Sequence, residues 1–287
     1  MLRSEKGGKD VKERVALTID SSLLEIVDST VDGNIVKNRS RAIEFLLRKA
    51  IGANVPKQAL ILAGGEGKRL RPLTHEMPKP MIPLQGKPIM EHTVDLLLKF
   101  DIRTIVISIG YKGEMVKEKF GDGSRFGAKF FYVEEKQPLG TGGPLTLAME
   151  HIDGPFVMCN ADELKNIDLA DMYRVHQENQ ALCTIALTTV ADPSAYGVVK
   201  MQGSRITEFI EKPDRSAAPS KLINAGLYIV EPEVMQMAGP GPCSIEKEIF
   251  PKLAAMGKLM GYPFSGQWFD TGTPDRYERA MKEWNGL

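Results

Sequence analysis

The stretch LAGGEGKRLRPLT, residues 62–74, follows an apolar run and sets Gly64, Gly65 and Gly67 beside Lys68, Arg69 and Arg71. Glycines directly after a strand let backbone N–H groups approach phosphate oxygens, and the cations add charge. The same residues also suit a tight turn with exposed basic side chains. Two familiar phosphate loops are excluded by position. A Walker loop needs glycine at 62 and serine or threonine at 69, where Leu62 and Arg69 stand, and the dinucleotide fingerprint needs glycine at 70, where Leu70 stands. Further along, Asp162 ends the apolar run PFVMCNAD. An aspartate there is a metal ligand or a helix cap; the C-terminal end of a strand, where open α/β sheets bind ligands, favours the ligand. Glu211 and Lys212 are adjacent and read as substrate contacts or as a surface ion pair.

The elements that must position these residues are legible as a rhythm. Apolar runs at ALILAGG, TIVISIG, FFYVEE, PFVMCNAD, ALCTIALTTV and NAGLYIV alternate with helical patterns such as IMEHTVDLLLKF, which indicates an α/β domain with a largely parallel central sheet. The chain has 287 residues, and its 37 Lys and Arg balance 37 Asp and Glu, so no global field selects a polyanion and any such site must be local. Cys159, Cys183 and Cys243 are far apart and odd in number, against a disulfide framework or a zinc knuckle. No run approaches the roughly 18 apolar residues that span a bilayer, and no apolar leader follows the charged start. The reading is a soluble, cytoplasmic protein without a membrane partner.

The glycine loop followed by PKPMIPLQGKPIMEH, then EEKQPLGTGGPL, NAD, AYG, FIEKP, NAG and WFDTGTPDRY, closely resembles the ordered signature of the sugar nucleotidylyltransferases, of the mannose-1-phosphate guanylyltransferase kind, over residues 58–287. The resemblance implies a Rossmann-like nucleotidyltransferase fold with a mixed, mostly parallel sheet. It implies Mg2+-dependent transfer of a nucleotidyl group from an NTP to a sugar 1-phosphate. A phosphate monoester is mostly ionised at neutral pH, its second pKa being about 6. The reaction therefore needs charge neutralisation and alignment more than a general base, and the four histidines need not be catalytic.

Carried over by motif, the resemblance gives Arg69 and Lys79 the catalytic charges at the phosphates. The nucleotide would lie on Leu62, Ala63, Gly64, Gly65, Gly67, Glu135, Gly140 and Thr141. Gly197, Glu211, Lys212 and Asn224 would hold the sugar phosphate, and Asp162 and Asp270 the Mg2+. Trp268 would support Asp270. Glu135 occupies the slot facing the base, where a carboxylate can accept from guanine N1–H and N2–H2, which favours GTP and mannose 1-phosphate over UTP or dTTP. Two departures are Lys68 for the usual threonine and Ala161 for the usual glycine before the metal aspartate. The chain ends soon after these motifs, leaving no room for the β-helix domain that some relatives append.

Before residue 58 the character differs. Residues 1–10 are polar and read as disordered. Residues 11–20 alternate as a period-2 strand, with Val15, Leu17 and Ile19 on one face and Lys12, Arg14, Ala16 and Thr18 on the other. Ser21 or Ser22 can cap a first helix and Asn38 or Ser40 a second. A unit this small, residues 11–51, usually needs a partner, and residues 52–57 read as a linker. The segment resembles a ribbon-helix-helix DNA-binding domain. That implies a homodimer or higher even oligomer, with Arg14, Ala16 and Thr18 toward base edges, Lys12 near a phosphate, and the N–H groups at Asn38, Arg39 and Ser40 on a backbone phosphate. Residues 1–57 carry eleven basic and eight acidic residues, a net of +3, modest for a DNA binder, so a dimer clamp without DNA stands beside that reading. A second function stands too: a regulator whose nucleotidyltransferase-like domain only senses a sugar nucleotide.

Overall fold

A computed structural model of the chain describes residues 15–31, 36, 38–50 and 55–287. It divides into two compact units, one reaching to Ala50 and the other starting at Ile51.

In the first unit, α1 (Ser21–Ser29) is capped by Asp20, whose carboxylate accepts from the Ser22 amide at 2.8 Å. The sequence offered Ser21 or Ser22, but a carboxylate one residue earlier reaches the orphan N–H groups better. The second helix, α2 (Arg39–Ala50), is capped by Asn38, which accepts from the Arg41 amide at 3.0 Å. Arg39 grips Asp28 through Nε and Nη2 at 2.7 and 2.6 Å, and Val27, Val36 and Ala42 form a small core. Lys12, Arg14 and the first half of the expected strand lie outside the described residues. Residues 15–20 make no ladder, and Val15 and Leu17 are 73% and 59% exposed. Among the described residues nothing therefore supplies, at Val15 and Leu17, the burial expected of this apolar face.

The second unit begins with β1 (Gln58–Ala63), a glycine loop, the short α3 (Leu73–Glu76), the two-residue strands β2 (Pro83–Leu84) and β3 (Lys87–Pro88), and α4 (Ile89–Lys99). There follow β4 (Thr104–Ile109), α5 (Gly113–Phe120), β5 (Lys129–Glu134), α6 (Gly143–Ala148), β6 (Phe156–Asn160), β7 (Glu163–Lys165) and α7 (Leu169–Glu178). Then come β8 (Cys183–Thr189), β9 (Gly197–Gln202), β10 (Arg205–Glu211), β11 (Leu222–Val230), α8 (Pro232–Met235), α9 (Phe250–Ala255), β12 (Leu259–Pro263), β13 (Trp268–Asp270) and α10 (Pro274–Glu283).

Among the described residues, nine strands make one sheet in the order β5-β4-β1-β6-β11-β8-β12-β10-β9. Strands β5, β4, β1 and β6 are parallel neighbours, as fully apolar runs joined by crossover helices require. Beyond β6 the sheet changes: β11 runs antiparallel to both β6 and β8, and β9 and β10 form an antiparallel hairpin. The sheet is mixed rather than mostly parallel: β8 to β9 and β10 to β11 are joined without helices, and only β12, reached through α8 and α9, adds a parallel neighbour, to β8. Side chains alternate between two cores. Ile61, Ile107 and Cys159 face the apolar stripes of α4, α5 and α7, while Leu60, Val106 and Met158 face α6 and α9. No helix among the described residues is long and apolar enough to cross a membrane.

A third cluster docks the chain's end: Trp284 and Phe269 pack with Leu84, Ile89 and Leu164. Its buried polar member is His92. The Trp284 indole N–H donates to His92 Nδ1 at 3.3 Å, and Nε2 lies 3.0 Å from the Leu84 carbonyl. A neutral ring protonated on Nε2 satisfies both contacts, whereas the cation sets two N–H groups against each other. Burial, with nearby Lys87, holds the ring below its ordinary 6.5 despite the Leu84 contact. The unfolded chain binds this proton more readily, so stability falls as pH drops through about 6.5. Urea unfolding at pH 7 and pH 5 checks this. His92→Gln should flatten the pH slope by up to about 1.4 kcal/mol per pH unit.

Candidate active site

Strand β1 has β4 on one side and β6 on the other, so the crossovers leave its C-terminal end in opposite directions and open a crevice there. Leu62 pairs in register with Asn160, and the Ala161 amide donates to the Leu62 carbonyl at 3.1 Å. The glycine loop and Asp162 therefore emerge side by side. A cleft of about 600 Å³ opens between them, walled by Leu62, Ala63 and the loop through Arg69, floored by Lys79 and Asp162, and closed by Glu135, Gly140 and Thr141.

Two glycines of the loop are required by contact. Gly67 has φ +63°, and a Cβ there would lie 2.9 Å from the Thr74 methyl and 3.0 Å from Lys79 Cβ. At Gly64 a Cβ would collide with the Glu135 carboxylate at 2.2 Å. Lys68 and Arg71 approach Glu66 at 3.2 and 3.9 Å, while Arg69 stands beside Gly272, where its Nη2 would be 3.1 Å from an added Cβ. Lys79 is only 7% exposed and pairs with the Asp162 carboxylate. Burial pushes that carboxyl up, but the Lys79 and Lys165 ammoniums outweigh it and hold it below the ordinary range.

Asp270 arrives from the far end of the chain on β13, which pairs antiparallel with β7 so that Asp270 faces Glu163 in register. The Thr271 hydroxyl donates to the Asp162 carbonyl at 2.7 Å. Asp270 Oδ1 accepts from the Gly272 amide at 2.6 Å, and Oδ2 accepts from Arg276 Nη1 at 2.5 Å and the Tyr196 hydroxyl at 3.3 Å. Burial and the Asp270 charge push the Tyr196 phenol up to about 12, so it remains a donor. Trp268 does not hold Asp270 directly. Its indole donates to Glu163 at 3.0 Å, and its ring meets Tyr196 edge-on at 5.5 Å.

Beneath the two aspartates lies a layer that motif reading missed. Glu163 accepts from Asn160 at 2.8 Å and from Trp268, and Lys165, 4% exposed, sits 3.6 Å from Glu163 and donates to the Gly226 carbonyl at 3.1 Å. Gly226 is left-handed at φ +59°, and a Cβ there would also strike Glu163 at 2.4 Å, so both the backbone and the space select glycine. Asn224 accepts from the Gly226 amide and donates to the Tyr228 hydroxyl, both at 2.9 Å, shaping this bulge. Gly197 packs on Phe209, where a Cβ would be 2.3 Å away, and Glu211 pairs with Lys212 at 3.0 Å. Gly197, Glu211, Lys212 and Asn224 stand outside the lining of the main cleft.

Glu135 and Thr141 are already bonded within the chain. Glu135 accepts from Ser108 Oγ at 2.8 Å and from the Leu139 amide at 3.0 Å. The Thr141 hydroxyl donates to Glu246 at 2.5 Å and accepts from the Ile245 amide at 3.1 Å, so Thr141 presents its backbone rather than its hydroxyl. The Gly142 amide and the Leu139 carbonyl both bond the backbone of Cys243 at 2.9 Å. Glu246 and Arg276, both outside the sequence expectations, thus brace the site from segments far along the chain. Glu246→Ala should speed amide exchange at Gly142 about tenfold and leave β1 unchanged, as hydrogen-exchange mass spectrometry would show.

Among the described residues, no group of three or more His, Cys, Asp or Glu is placed to hold a metal ion. The carboxylates lining the cleft are Glu66, Glu135 and Asp162, and Asp270 reaches its edge through the turn to Gly272.

The nucleotidyl transferase family model matches residues 58–285. A mannose-1-phosphate guanylyltransferase catalytic subunit beta from Danio rerio is 40% identical over 230 residues, covering 78% of this chain and 63% of the relative. A mannose-1-phosphate guanyltransferase from Yarrowia lipolytica is 39% identical over 225 residues, covering 76% and 61%. The chain thus spans a little over three fifths of the length of these relatives. The crystal structure of a UDP-glucose pyrophosphorylase complexed with UDP-glucose superposes with a TM-score of 0.70 at 25% identity, covering 79% of this chain and 98% of that one. With its glycine loop and Asp162 set on a switch-point cleft of this fold, the chain belongs to the nucleotidyl transferase family.

Proposed function

We propose that the chain joins a sugar 1-phosphate to a nucleoside triphosphate, with GTP and mannose 1-phosphate as the favoured pair. The observation that carries this reading is Lys79, a buried ammonium held by Asp162 at the floor of a glycine-walled cleft. A phosphate oxygen of the sugar 1-phosphate attacks the α-phosphorus of the triphosphate. The bond from that phosphorus to the bridging oxygen breaks, and pyrophosphate leaves with the electron pair. No proton need move. Lys79 and Arg69 neutralise the charge that builds on the α-phosphate, and the backbone of Gly64, Gly65 and Gly67 receives the remaining phosphates.

Asp162 and Asp270 are hard oxygen donors, and the set includes no histidine nitrogen or cysteine sulfur. Such a set fits Mg2+, which keeps several waters and takes one or two carboxylates together with substrate phosphates. When bound, that cation would offset phosphate charge. Gly197, Glu211, Lys212 and Asn224 would receive the sugar phosphate. Glu135, next to Gly64, would accept from guanine while keeping its bonds to Ser108 and Leu139, since a carboxylate has about four acceptor sites. The guanylyl-transferring relatives favour the same base.

Incubation with Mg2+, each NTP and a panel of sugar 1-phosphates, followed by pyrophosphate release, tests the reading. GTP with mannose 1-phosphate should release most, and no release with any pair would sink it. Lys79→Ala should lower kcat/KM by about 10²–10³, and chelation with EDTA should abolish turnover. Activity that survives chelation would remove the cation from the scheme.

We read the first unit as a ribbon-helix-helix dimer that binds DNA. Its exposed Val15 and Leu17 and its Asn38-capped second helix support this reading. Arg14, Ala16 and Thr18 would face the major groove, with Lys12 and the amides near Asn38, Arg39 and Ser40 at phosphates. Duplex binding measured by anisotropy should fall steeply between 50 and 200 mM salt, as expected of phosphate contacts, and Arg14→Ala should weaken it without changing nucleotidyl transfer. Salt-insensitive or absent binding would leave the unit as a dimer clamp.

A further inference from the structure

We propose that Arg276 is a further anion-binding residue of this site and contacts the phosphate of the sugar 1-phosphate, an inference that rests on the transfer reading above. Arg276 stands in the first turn of α10, where the partial positive charge of the helix end disfavours a cation. It is held there by two contacts. Nη1 donates to Asp270 Oδ2 at 2.5 Å, and the guanidinium lies 4.9 Å from the Tyr196 ring centroid.

Asp270 does not need this partner for its own satisfaction, since it also accepts from the Gly272 amide at 2.6 Å and from the Tyr196 hydroxyl at 3.3 Å. Arg276, in turn, has donors to spare. A guanidinium carries five N–H groups in a fixed fork suited to phosphate. Among the described residues its one hydrogen-bond acceptor is Asp270, while a third of the side chain stays exposed. Asp270 and the Tyr196 ring therefore fix the orientation of a cation whose remaining N–H groups are uncommitted.

Its neighbours say which anion it meets. Tyr196 precedes Gly197, and its carbonyl accepts from the Lys212 amide at 3.0 Å, so Arg276 packs against the segment proposed to hold the sugar phosphate. The triphosphate is met by the glycine loop. Arg69 and Arg276 both approach the turn from Asp270 to Gly272, Arg69 beside Gly272 and Arg276 at the Asp270 carboxylate. Phosphate of the incoming sugar is the anion consistent with that placement.

The test is calorimetric titration of the unmutated protein, Arg276→Gln and Arg276→Lys with inorganic phosphate, with the hexose 1-phosphate most active in the pyrophosphate assay, and with GTP, alongside melting temperatures and steady-state KM values. Arg276→Gln should weaken phosphate and hexose 1-phosphate binding at least tenfold, leave GTP affinity within about twofold, and leave the melting temperature unchanged. Arg276→Lys should recover part of the loss because it keeps the charge but not the fork. Unchanged phosphate affinity in Arg276→Gln would overturn the proposal. So would an equal loss for GTP and phosphate with a lowered melting temperature, the mark of a brace acting only through Asp270. A protein that releases no pyrophosphate with any pair would overturn the transfer reading instead, and the phosphate titrations would still decide the role of Arg276.

Discussion

A lysine ammonium taken out of water must meet a fixed anion, and the cleft is organised by that demand at Lys79. Its partner Asp162 stands at the end of β6, while Lys79 follows the loop that leaves β1. The pair therefore converts the adjacency of two parallel strands into a set distance between two loops. Gly67 has no side chain because the Lys79 stem fills that space, and Thr74 bonds the Gly67 carbonyl at 3.0 Å to hold the turn against it. Through the Thr271 contact to the Asp162 carbonyl, the same aspartate fixes where the chain's last strand comes to rest.

The layer of Asn160, Glu163, Lys165 and Trp268 obeys a related rule. Burying an ion pair gains little unless each polar atom finds a partner. Here Glu163 is shared among an amide, an indole and an ammonium, and Lys165 closes the set on the Gly226 carbonyl. Such a network specifies one arrangement more than it adds stability. It fixes the separation of the strands that carry the two aspartates, and the left-handed turn at Gly226 leaves it the space.

What could be read from the amino acids divides along lines of sequence distance. The runs that became β1, β4, β5, β6, β8 and β11 are continuous and apolar, so both burial and strand type were legible. The hairpin of β9 and β10 has mixed, half-exposed faces that carry no clean strand pattern, and the apolar run that forms β11 does not itself reveal that it pairs antiparallel to β6 and β8. The glycine loop and the aspartates stood out because local spacing carries their chemistry. Glu163, Lys165, Glu246 and Arg276 did not, since each looks like an ordinary surface charge until a residue tens to over a hundred positions away is brought beside it. The capping of α1 by Asp20 instead of a neighbouring serine was a local miss, decided by reach.

The bonds between Gly142, Leu139 and Cys243, with Glu246 on Thr141, mean that the loop beside Glu135 is mounted on a segment lying behind it. The wall of the cleft nearest Glu135 can thus be re-aimed from residues 241–246 while every residue lining it is retained. Descendants of such a fold could drift in ligand preference through changes that leave the visible motif intact, and a comparison of motifs alone would not register the difference.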